Sequence, residues 1–163
     1  MENISIIFQG WVLDEGKICS EVIANLVTTR RHFPHDEIIL STWNLSHKIR
    51  EELLSHLQPL EVILTESQDP GPLVYQQKKA RWITNANRMI VSSRAGIRRA
   101  RYEKVVKLRT DSQSYRSDIR NLLQRRNVDE AFSPREPGSA LFRQRVSNGN
   151  VFERNASGHM PYL

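Results

Sequence analysis

The sequence predicts an α/β fold, with a mostly parallel sheet and helices on both faces, and three features point to it. Short apolar runs of strand length alternate with longer segments whose apolar residues recur at three- and four-residue spacing. This alternation occurs four times, as expected of parallel strands joined by crossover helices. Several of the predicted strands also end in polar or glycine-containing segments, which is where ligands of open α/β sheets bind.

The N-terminal part of the chain contains three predicted strands and two predicted helices. The strands cover residues 4–8, 37–40 and 61–64, and the helices cover residues 17–31 and 47–56. Each strand is followed by a polar or glycine-containing segment, namely Gln9-Gly10, Ser41-Thr42-Trp43 and Asp69-Pro70-Gly71. In a parallel sheet these segments should meet at one edge.

The longest helical pattern covers residues 75–100. Its apolar stripe recurs at helical spacing and predicts the face that packs on the sheet, namely Ile83, Ala86, Ile90, Ser93, Ile97 and Ala100. Polar residues on another side of the helix predict a solvated face, namely Asn85, Arg88, Ser92 and Arg99. Gly96 weakens a helix and indicates either a close approach or a break.

A fourth strand is predicted at residues 105–111. Because side chains alternate along a strand, Val106, Leu108 and Thr110 share one face, and Lys107, Arg109 and Asp111 share the other. Two interpretations remain open: an edge strand with a solvated charged face, or a strand whose end faces a ligand. Beyond it we predict a helix at residues 117–126, a loop at 133–138, a strand at 140–146 and a loop-rich end over 133–163.

The composition suits one domain over residues 1–163, with 39% hydrophobic and 26% charged residues. The formal net charge of +6 favours anionic partners: nucleic acid, phosphorylated small molecules or an acidic membrane surface. No apolar run approaches the ~18 residues that a membrane-spanning helix requires. The single cysteine, Cys19, excludes an internal disulfide, and the N-terminus lacks the pattern of a signal peptide. We therefore expect a cytoplasmic protein.

The strand ends together predict a ligand site. Gly10 and Gly71 leave space beside the backbone. Trp43 can stack on a base or form one side of its pocket. Lys107 and Arg109 suit phosphate oxygens, and Asp111 suits a hard cation. Each residue also has a purely structural explanation, because Asp-Pro-Gly is a common turn and a single tryptophan is usually core. The sequence contains neither a Rossmann glycine motif nor a P-loop.

Five short motifs follow one another along the chain: Ile6-Ile7-Phe8-Gln9-Gly10, Ile38-Ile39-Leu40-Ser41-Thr42-Trp43, Asp69-Pro70-Gly71, Asn85-Ala86-Asn87-Arg88 and Lys107-Leu108-Arg109-Thr110-Asp111. In this order they resemble the WavE family of lipopolysaccharide-synthesis proteins. The resemblance runs from about residue 4 to residue 155.

The resemblance implies a GT-A fold, that of the nucleotide-diphospho-sugar transferases. By this resemblance Gln9 and Gly10 line the nucleotide pocket, with Asp69 and Arg88 nearby. Asp111 takes the place of the Asp-x-Asp signature that holds the donor phosphates and a divalent cation (Mn or Mg). The chain departs from that signature because Asp111 stands alone, which leaves metal dependence open. By the same resemblance we expect the acceptor-binding half to be mostly missing, as in a truncated form or a fragment that holds the donor-binding half only.

The function implied is glycosyl transfer, at the inner face of the cell membrane, from a nucleotide-diphospho-sugar to a lipid-linked oligosaccharide or lipopolysaccharide core. A non-catalytic nucleotide- or phosphate-binding domain is the alternative. A third interpretation, a nucleic-acid-binding protein, rests on the arginines at 94, 98, 99 and 101, but aromatic residues are not interleaved with them. The donor-binding residues predicted from strand ends and resemblance together are Gln9, Gly10, Thr42, Trp43, Asp69, Gly71, Arg88, Lys107, Arg109 and Asp111, and Asp111 is also the predicted metal ligand.

Overall fold

The computed structural model describes residues 3–77 and 80–112, and the structural statements below concern these residues. A 3₁₀ turn at Gln58–Leu60 follows the second helix. In chain order the other elements are β1 (Ser5–Gln9), β2 (Leu13–Asp14), β3 (Lys17–Ile18), α1 (Ser20–His32), β4 (Glu37–Trp43), α2 (His47–Leu57), β5 (Val62–Ser67), β6 (Leu73–Gln77), β7 (Ala80–Thr84), α3 (Ala86–Arg99) and β8 (Val105–Arg109).

The main sheet is parallel throughout, in the order β5-β4-β1-β8, which confirms the predicted α/β fold. From β1 the chain moves outward through α1 to β4 and through α2 to β5. It then returns through α3 to β8, on the other side of β1. Because such crossovers are right-handed, α3 lies on the face opposite α1 and α2. The strand order reverses beside β1, so a crevice opens between the carboxyl ends of β1 and β8.

The core is centred on β1 and β4. All five residues of β1 are buried, and β4 is buried from Ile38 to Trp43, as expected of strands covered on both faces. Leu26 of α1 and Leu53 and Leu57 of α2 are fully buried with them. The sequence placed the end of the second strand at residue 40, whereas Ser41, Thr42 and Trp43 continue β4 into the core.

Helix α3 packs on the sheet through small residues. A Cβ on Gly96 would lie only 2.4 Å from Ile7 Cγ2, and the Ser41 hydroxyl donates to the Ser92 carbonyl at 2.8 Å. Gly96 therefore marks a close approach, one of the two predicted options. The predicted packing face was wrong, because Ser92 is buried whereas Ile90 and Ile97 are exposed. Small side chains let the helix backbone approach the sheet, which longer side chains at those positions would prevent.

The N-terminal part of the predicted helix at residues 75–100 is instead a β-hairpin. β6 and β7 pair antiparallel, with Val74 opposite Ile83 and Tyr75 opposite Trp82. The Tyr75 and Trp82 rings stack with centroids 6.4 Å apart. Aromatic and β-branched residues favour such cross-strand pairs, and these local pairs outweigh the helical spacing of the isoleucines. The helix begins only at Ala86.

A second small hairpin precedes α1, where the sequence predicted a helix from residue 17. Lys17 and Ile18 pair with Asp14 and Leu13. The two residues between these short strands have positive φ, 46° at Glu15 and 79° at Gly16, as a tight two-residue hairpin turn requires. Helix α1 therefore starts at Ser20.

Strand β8 has the two faces that alternation predicted. Val106 and Leu108 are half-buried and Thr110 is buried, whereas Lys107, Arg109 and Asp111 are exposed. It is an edge strand among the described strands. The predicted helix at 117–126, loop at 133–138, strand at 140–146 and loop-rich end at 133–163 lie outside the described residues, so a single domain over 1–163 stays a prediction. No described helix is long and apolar enough to cross a bilayer.

Candidate functional site

A cleft of about 580 Å³ opens at the carboxyl ends of β1 and β8, at the point where the strand order reverses. The loop after β5 and the first turn of α3 form another side of it. It is lined by Gln9, Gly10, Trp11, Leu13, Cys19, Glu21, Val22, Trp43, Asp69, Asn85, Arg88, Met89, Arg109, Thr110 and Asp111. Segments far apart in sequence therefore meet at one place, as the convergence of parallel strand ends requires.

The floor of the cleft is held together by Thr110. Its N–H donates to the Gln9 carbonyl at 3.2 Å, and its hydroxyl donates to the Trp11 carbonyl at 2.9 Å. The buried amide of Asn25, on α1, donates to the Thr110 carbonyl at 2.9 Å. Thr110 thus joins the end of β8 to the segment that leaves β1 and to α1.

Gln9 brings an amide to the same floor. Its side chain is 7% exposed, and its Oε1 finds no hydrogen-bond partner among the described residues. A buried polar atom without a partner costs free energy, and such atoms concentrate where a ligand or water completes the bonding.

Asp69 and Arg88 form an ion pair on the side of the cleft. Arg88 Nε and Nη2 lie 2.8 and 2.7 Å from the two oxygens of Asp69, which is a two-bond fork. The Gly71 N–H also donates to Asp69 Oδ1 at 2.9 Å. The hydrogen bonds from Arg88, and then that from Gly71, lower the pKa of the Asp69 carboxyl below its ordinary value. The same pairing raises the pKa of Arg88.

Arg109 and Asp111 form a second ion pair at the end of β8. Arg109 Nε lies 2.8 Å from Asp111 Oδ1, and its Nη2 also bonds the other carboxylate oxygen. The hydrogen bonds from Arg109 lower the pKa of Asp111. The two side chains are 67% and 56% exposed, so this pair is more open to solvent than that of Arg88 and Asp69, at 34% and 37%.

The structure does not bring every predicted residue into the cleft. Thr42 is fully buried in β4, and its hydroxyl has no partner in the part of the chain described. Lys107 is exposed on β8 and does not line the cleft. Gly71 contributes indirectly, since its backbone N–H bonds Asp69 at a φ of 74°. Trp43 does line the cleft, although it is only 5% exposed.

Sequence reasoning missed several residues that line the cleft. Trp11 is 50% exposed there, and Cys19 and Glu21 approach from the beginning of α1. The signal that could have found them is the hairpin of β2 and β3, because its tight turn brings the start of α1 back beside β1. The Glu15-Gly16 pair was the sequence mark of that turn.

The charged side chains that line the cleft are not those of a purely cationic anion-binding site. Three carboxylates, those of Glu21, Asp69 and Asp111, accompany two guanidinium groups, those of Arg88 and Arg109. Each guanidinium is already paired with one carboxylate. The net positive charge of the chain therefore lies elsewhere. Within residues 3–77 and 80–112, no three His, Cys, Asp or Glu side chains cluster as protein-only metal ligands.

A family model described as WavE lipopolysaccharide synthesis matches residues 4–163, which is nearly the whole chain. The chain belongs to the WavE family. The match confirms the resemblance that the five motifs indicated and connects the protein with lipopolysaccharide synthesis. Searches among curated proteins and among solved structures found no match.

Four of the five WavE-like motifs contribute polar side chains to the same cleft in this WavE chain. Gln9 comes from the first motif, Asp69 from the third and Asp111 from the fifth. Arg88, in the fourth motif, joins them by pairing with Asp69. The geometry thus gives a physical reason why motifs that are so far apart in the sequence belong together.

Proposed function

We propose that this WavE-family protein is a glycosyltransferase that takes a sugar from a nucleotide-diphospho-sugar, and that the cleft between β1 and β8 binds this sugar donor. The observation that carries the proposal is the convergence of Gln9, Asp69, Arg88, Arg109 and Asp111 on one cleft at the reversal of strand order. Nucleotides bind at such points in open α/β sheets. The family's connection with lipopolysaccharide synthesis supports a polysaccharide acceptor, and the acceptor that we propose is a lipid-linked oligosaccharide or lipopolysaccharide core.

The shape of the cleft supports a nucleoside at its floor. A volume of about 580 Å³ suits a ligand of nucleotide size. The half-exposed Trp11 offers an aromatic face to a base, and the buried Gln9 amide offers a hydrogen-bonding edge. Gly10 lines the cleft beside them, and Thr110 occupies the place that a side chain at Gly10 would take. Neither Thr42 nor Lys107 has a part in this proposal.

Arg88 and Arg109 are the cations that support phosphate binding. A guanidinium group matches phosphate oxygens with a planar fork, and charge that grows on a leaving diphosphate is stabilised by fixed positive groups. Asp111 would hold a divalent cation in exchange for its ion pair with Arg109, since magnesium sites that share substrate phosphates need only one or two carboxylates. Such a cation would supply further charge neutralisation at the diphosphate.

A GT-A fold is the architecture we infer for the whole domain, and the parallel order β5-β4-β1-β8 is compatible with it. Since the acceptor is lipid-linked, we also propose that the protein attaches to the inner face of the cell membrane through the exposed arginines of α3. Helix α3 contains Arg94, Arg98 and Arg99 and no acidic residue.

Calorimetry with UDP, GDP, ADP and CDP, each with Mn²⁺ and with a chelator, tests the proposal. We expect one of the four to bind wild type, and Gln9→Ala to weaken it because the amide edge is lost. A matched control is Gln58→Ala, an exposed glutamine outside the cleft. Binding without hydrolysis or transfer of the corresponding labelled nucleotide-sugar would favour the alternative, a non-catalytic nucleotide-binding domain. Failure of all four to bind would contradict both.

A further inference from the structure

Both oxygens of the Asp69 carboxylate accept hydrogen bonds from groups of the protein. Oδ1 accepts the Gly71 N–H and Arg88 Nε, and Oδ2 accepts Arg88 Nη2. The turn that supplies the Gly71 N–H needs a φ of 74° at that glycine. Asp69 is therefore held from one side by its own loop and holds Arg88 on the other.

Arg88 is fixed by two different side chains. Besides the fork to Asp69, its Nη1 donates to Asn85 Oδ1 at 3.1 Å. A guanidinium group has five N–H donors, and these three bonds leave two, both on the Nη atoms. The Arg88 side chain is 34% exposed and lines the cleft, so those N–H groups are accessible to a ligand.

We infer that Asp69 is a positioning residue, which together with Asn85 holds the Arg88 guanidinium so that its two remaining N–H groups bind a phosphate oxygen of the nucleotide-sugar. This inference rests on the proposed function and assigns Asp69 a role through Arg88, without a contact of its own to the ligand. It also ties the loop after β5 to the first turn of α3, since the two residues come from these separate segments.

The second arginine of the cleft is held quite differently. Arg109 and Asp111 are two residues apart on one strand end, and both are mostly exposed. The further hydrogen bonds to Asp111 are local, from its own backbone N–H and the Ser112 side chain. Among the described residues, Arg109 has no second side-chain acceptor comparable to the Asn85 amide that holds Arg88. Exposed pairs of this kind contribute little to stability and exchange partners readily. Arg88 is thus the preorganised cation of the cleft, and preorganised groups bind with less loss of side-chain entropy.

The test compares wild type with Asp69→Ala and Arg88→Lys, using calorimetry with the nucleoside diphosphate that binds most tightly. Loss of a hydrogen-bonded charged group predicts that both substitutions weaken binding about tenfold or more. The affinity of Asp69→Asn should lie between those of wild type and Asp69→Ala, because its amide oxygen still accepts the Gly71 N–H. The matched control is Glu66→Ala. Glu66 also accepts from an arginine, Arg50 Nε at 2.8 Å, and from a backbone N–H, that of Leu45 at 3.0 Å, but it does not line the cleft.

A purely electrostatic role for Asp69 predicts the opposite result. Removing a carboxylate from the cleft makes it more positive, so Asp69→Ala would then bind the anion more tightly. Equal or tighter binding by Asp69→Ala would overturn the inference. So would weaker binding by Glu66→Ala to the same extent, since the loss would then reflect general destabilisation.

A measurement without nucleotide separates this inference from the proposed function. The Nε–H resonance of Arg88 in nitrogen-15-labelled protein, assigned by its loss in Arg88→Lys, should be sharp in wild type and broadened in Asp69→Ala. Addition of inorganic pyrophosphate should shift it in wild type. A resonance unchanged by Asp69→Ala, or unmoved by pyrophosphate, overturns the positioning role. If none of the four nucleoside diphosphates bound but pyrophosphate still shifted the Arg88 resonance, only the nucleotide part of the proposed function would be refuted.

Discussion

Gly10 and Thr110 leave no space for a side chain between them at the floor of the cleft. A Cβ on Gly10 would lie 2.6 Å from Thr110 Oγ1, and the φ of Gly10 is 145°. The Gly10 N–H donates to the Ser41 carbonyl at 3.1 Å, and the Thr110 N–H donates to the Gln9 carbonyl. These contacts join β1, β4 and β8 at the point where the cleft opens.

Substitution of Gly10 by alanine should therefore be costly. The backbone there lies in a region that residues other than glycine rarely adopt, and the added methyl group would push Thr110 away from the Trp11 carbonyl. We expect the free energy of unfolding to fall by about 2 to 4 kcal/mol, measured by urea denaturation.

Gly16 provides the matched control for Gly10. Its φ is also positive, 79°, but a Cβ there would have no described atom within 4 Å. Gly16→Ala should cost only the backbone strain, about 1 kcal/mol. Equal losses for the two substitutions would show that the contact with Thr110 has no part in the effect.

Gly96→Ala tests the close approach of α3 to the sheet. Alanine favours a helix over glycine by about 1 kcal/mol, yet the new methyl group would meet Ile7 Cγ2. We expect a net loss of about 1 to 3 kcal/mol in urea denaturation, and a smaller effect of the same substitution in an Ile7→Ala background. Arg94→Ala, on the exposed side of α3, should change stability by less than about 0.5 kcal/mol. A stabilised Gly96→Ala protein would refute the packing described.

The two arginine–carboxylate pairs predict a common pH dependence of stability. The pKa values of Asp69 and Asp111 are lowered in the folded protein, chiefly by hydrogen bonds from Arg88 and Arg109. A lowered folded-state pKa contributes stability that is fully present above the unfolded-state value, about 4, and is lost as the pH falls through the folded-state value. Unfolding midpoints between pH 2 and pH 7 should therefore decrease below about pH 4. The decrease should be smaller in Asp69→Asn and Asp111→Asn, and an unaltered profile in both would contradict the pairing.

The sheet and the position of the cleft could be predicted because they follow from the alternation of strands and helices along the chain. Parallel strands place their carboxyl ends at one edge, so Gln9, Asp69 and Asp111 could be expected together before their contacts were known. The sequence also predicted Thr42 at this edge, because it gave no sign that β4 continues past residue 40. That continuation depends on the pairing of Thr42 with Glu66 of β5, a residue distant in the chain.

What the sequence could not show depends on contacts between distant residues. Ile83, Ile90 and Ile97 recur every seven residues and fit a helix, yet Ile83 belongs to a hairpin that the Tyr75–Trp82 pair stabilises. The choice of Ser92 and Gly96 as the packing face depends on the closeness of Ile7, a residue far away in the chain. The pairing of Arg88 with Asp69 likewise spans 19 positions.

Membrane attachment through the arginines of α3 should be electrostatic and should therefore weaken as the salt concentration rises. Arg94, Arg98 and Arg99 are exposed, whereas Arg101 Nε pairs with Glu37 at 3.1 Å. Each arginine near an anionic bilayer contributes about 1 kcal/mol, so Arg94→Ala with Arg98→Ala should reduce binding to phosphatidylglycerol vesicles by about thirtyfold at low salt. The control removes the same charge elsewhere, by Arg31→Ala with Lys48→Ala, both exposed. Sedimentation that is indifferent to lipid charge or to salt would refute the attachment.

Asp111 has two competing partners, Arg109 in the structure and a divalent cation in the proposed function. If the carboxylate holds a cation beside the diphosphate, Asp111→Asn removes a ligand charge while keeping the shape, so nucleotide binding should weaken chiefly in the presence of Mn²⁺. If Asp111 serves Arg109 alone, the substitution should alter stability slightly and leave the effect of Mn²⁺ unchanged, because an exposed pair contributes at most about 1 kcal/mol. We expect the first result. Titration of nucleoside diphosphate into wild type and Asp111→Asn, each with Mn²⁺ and with chelator, separates the two, and four equal affinities would remove Asp111 from the site.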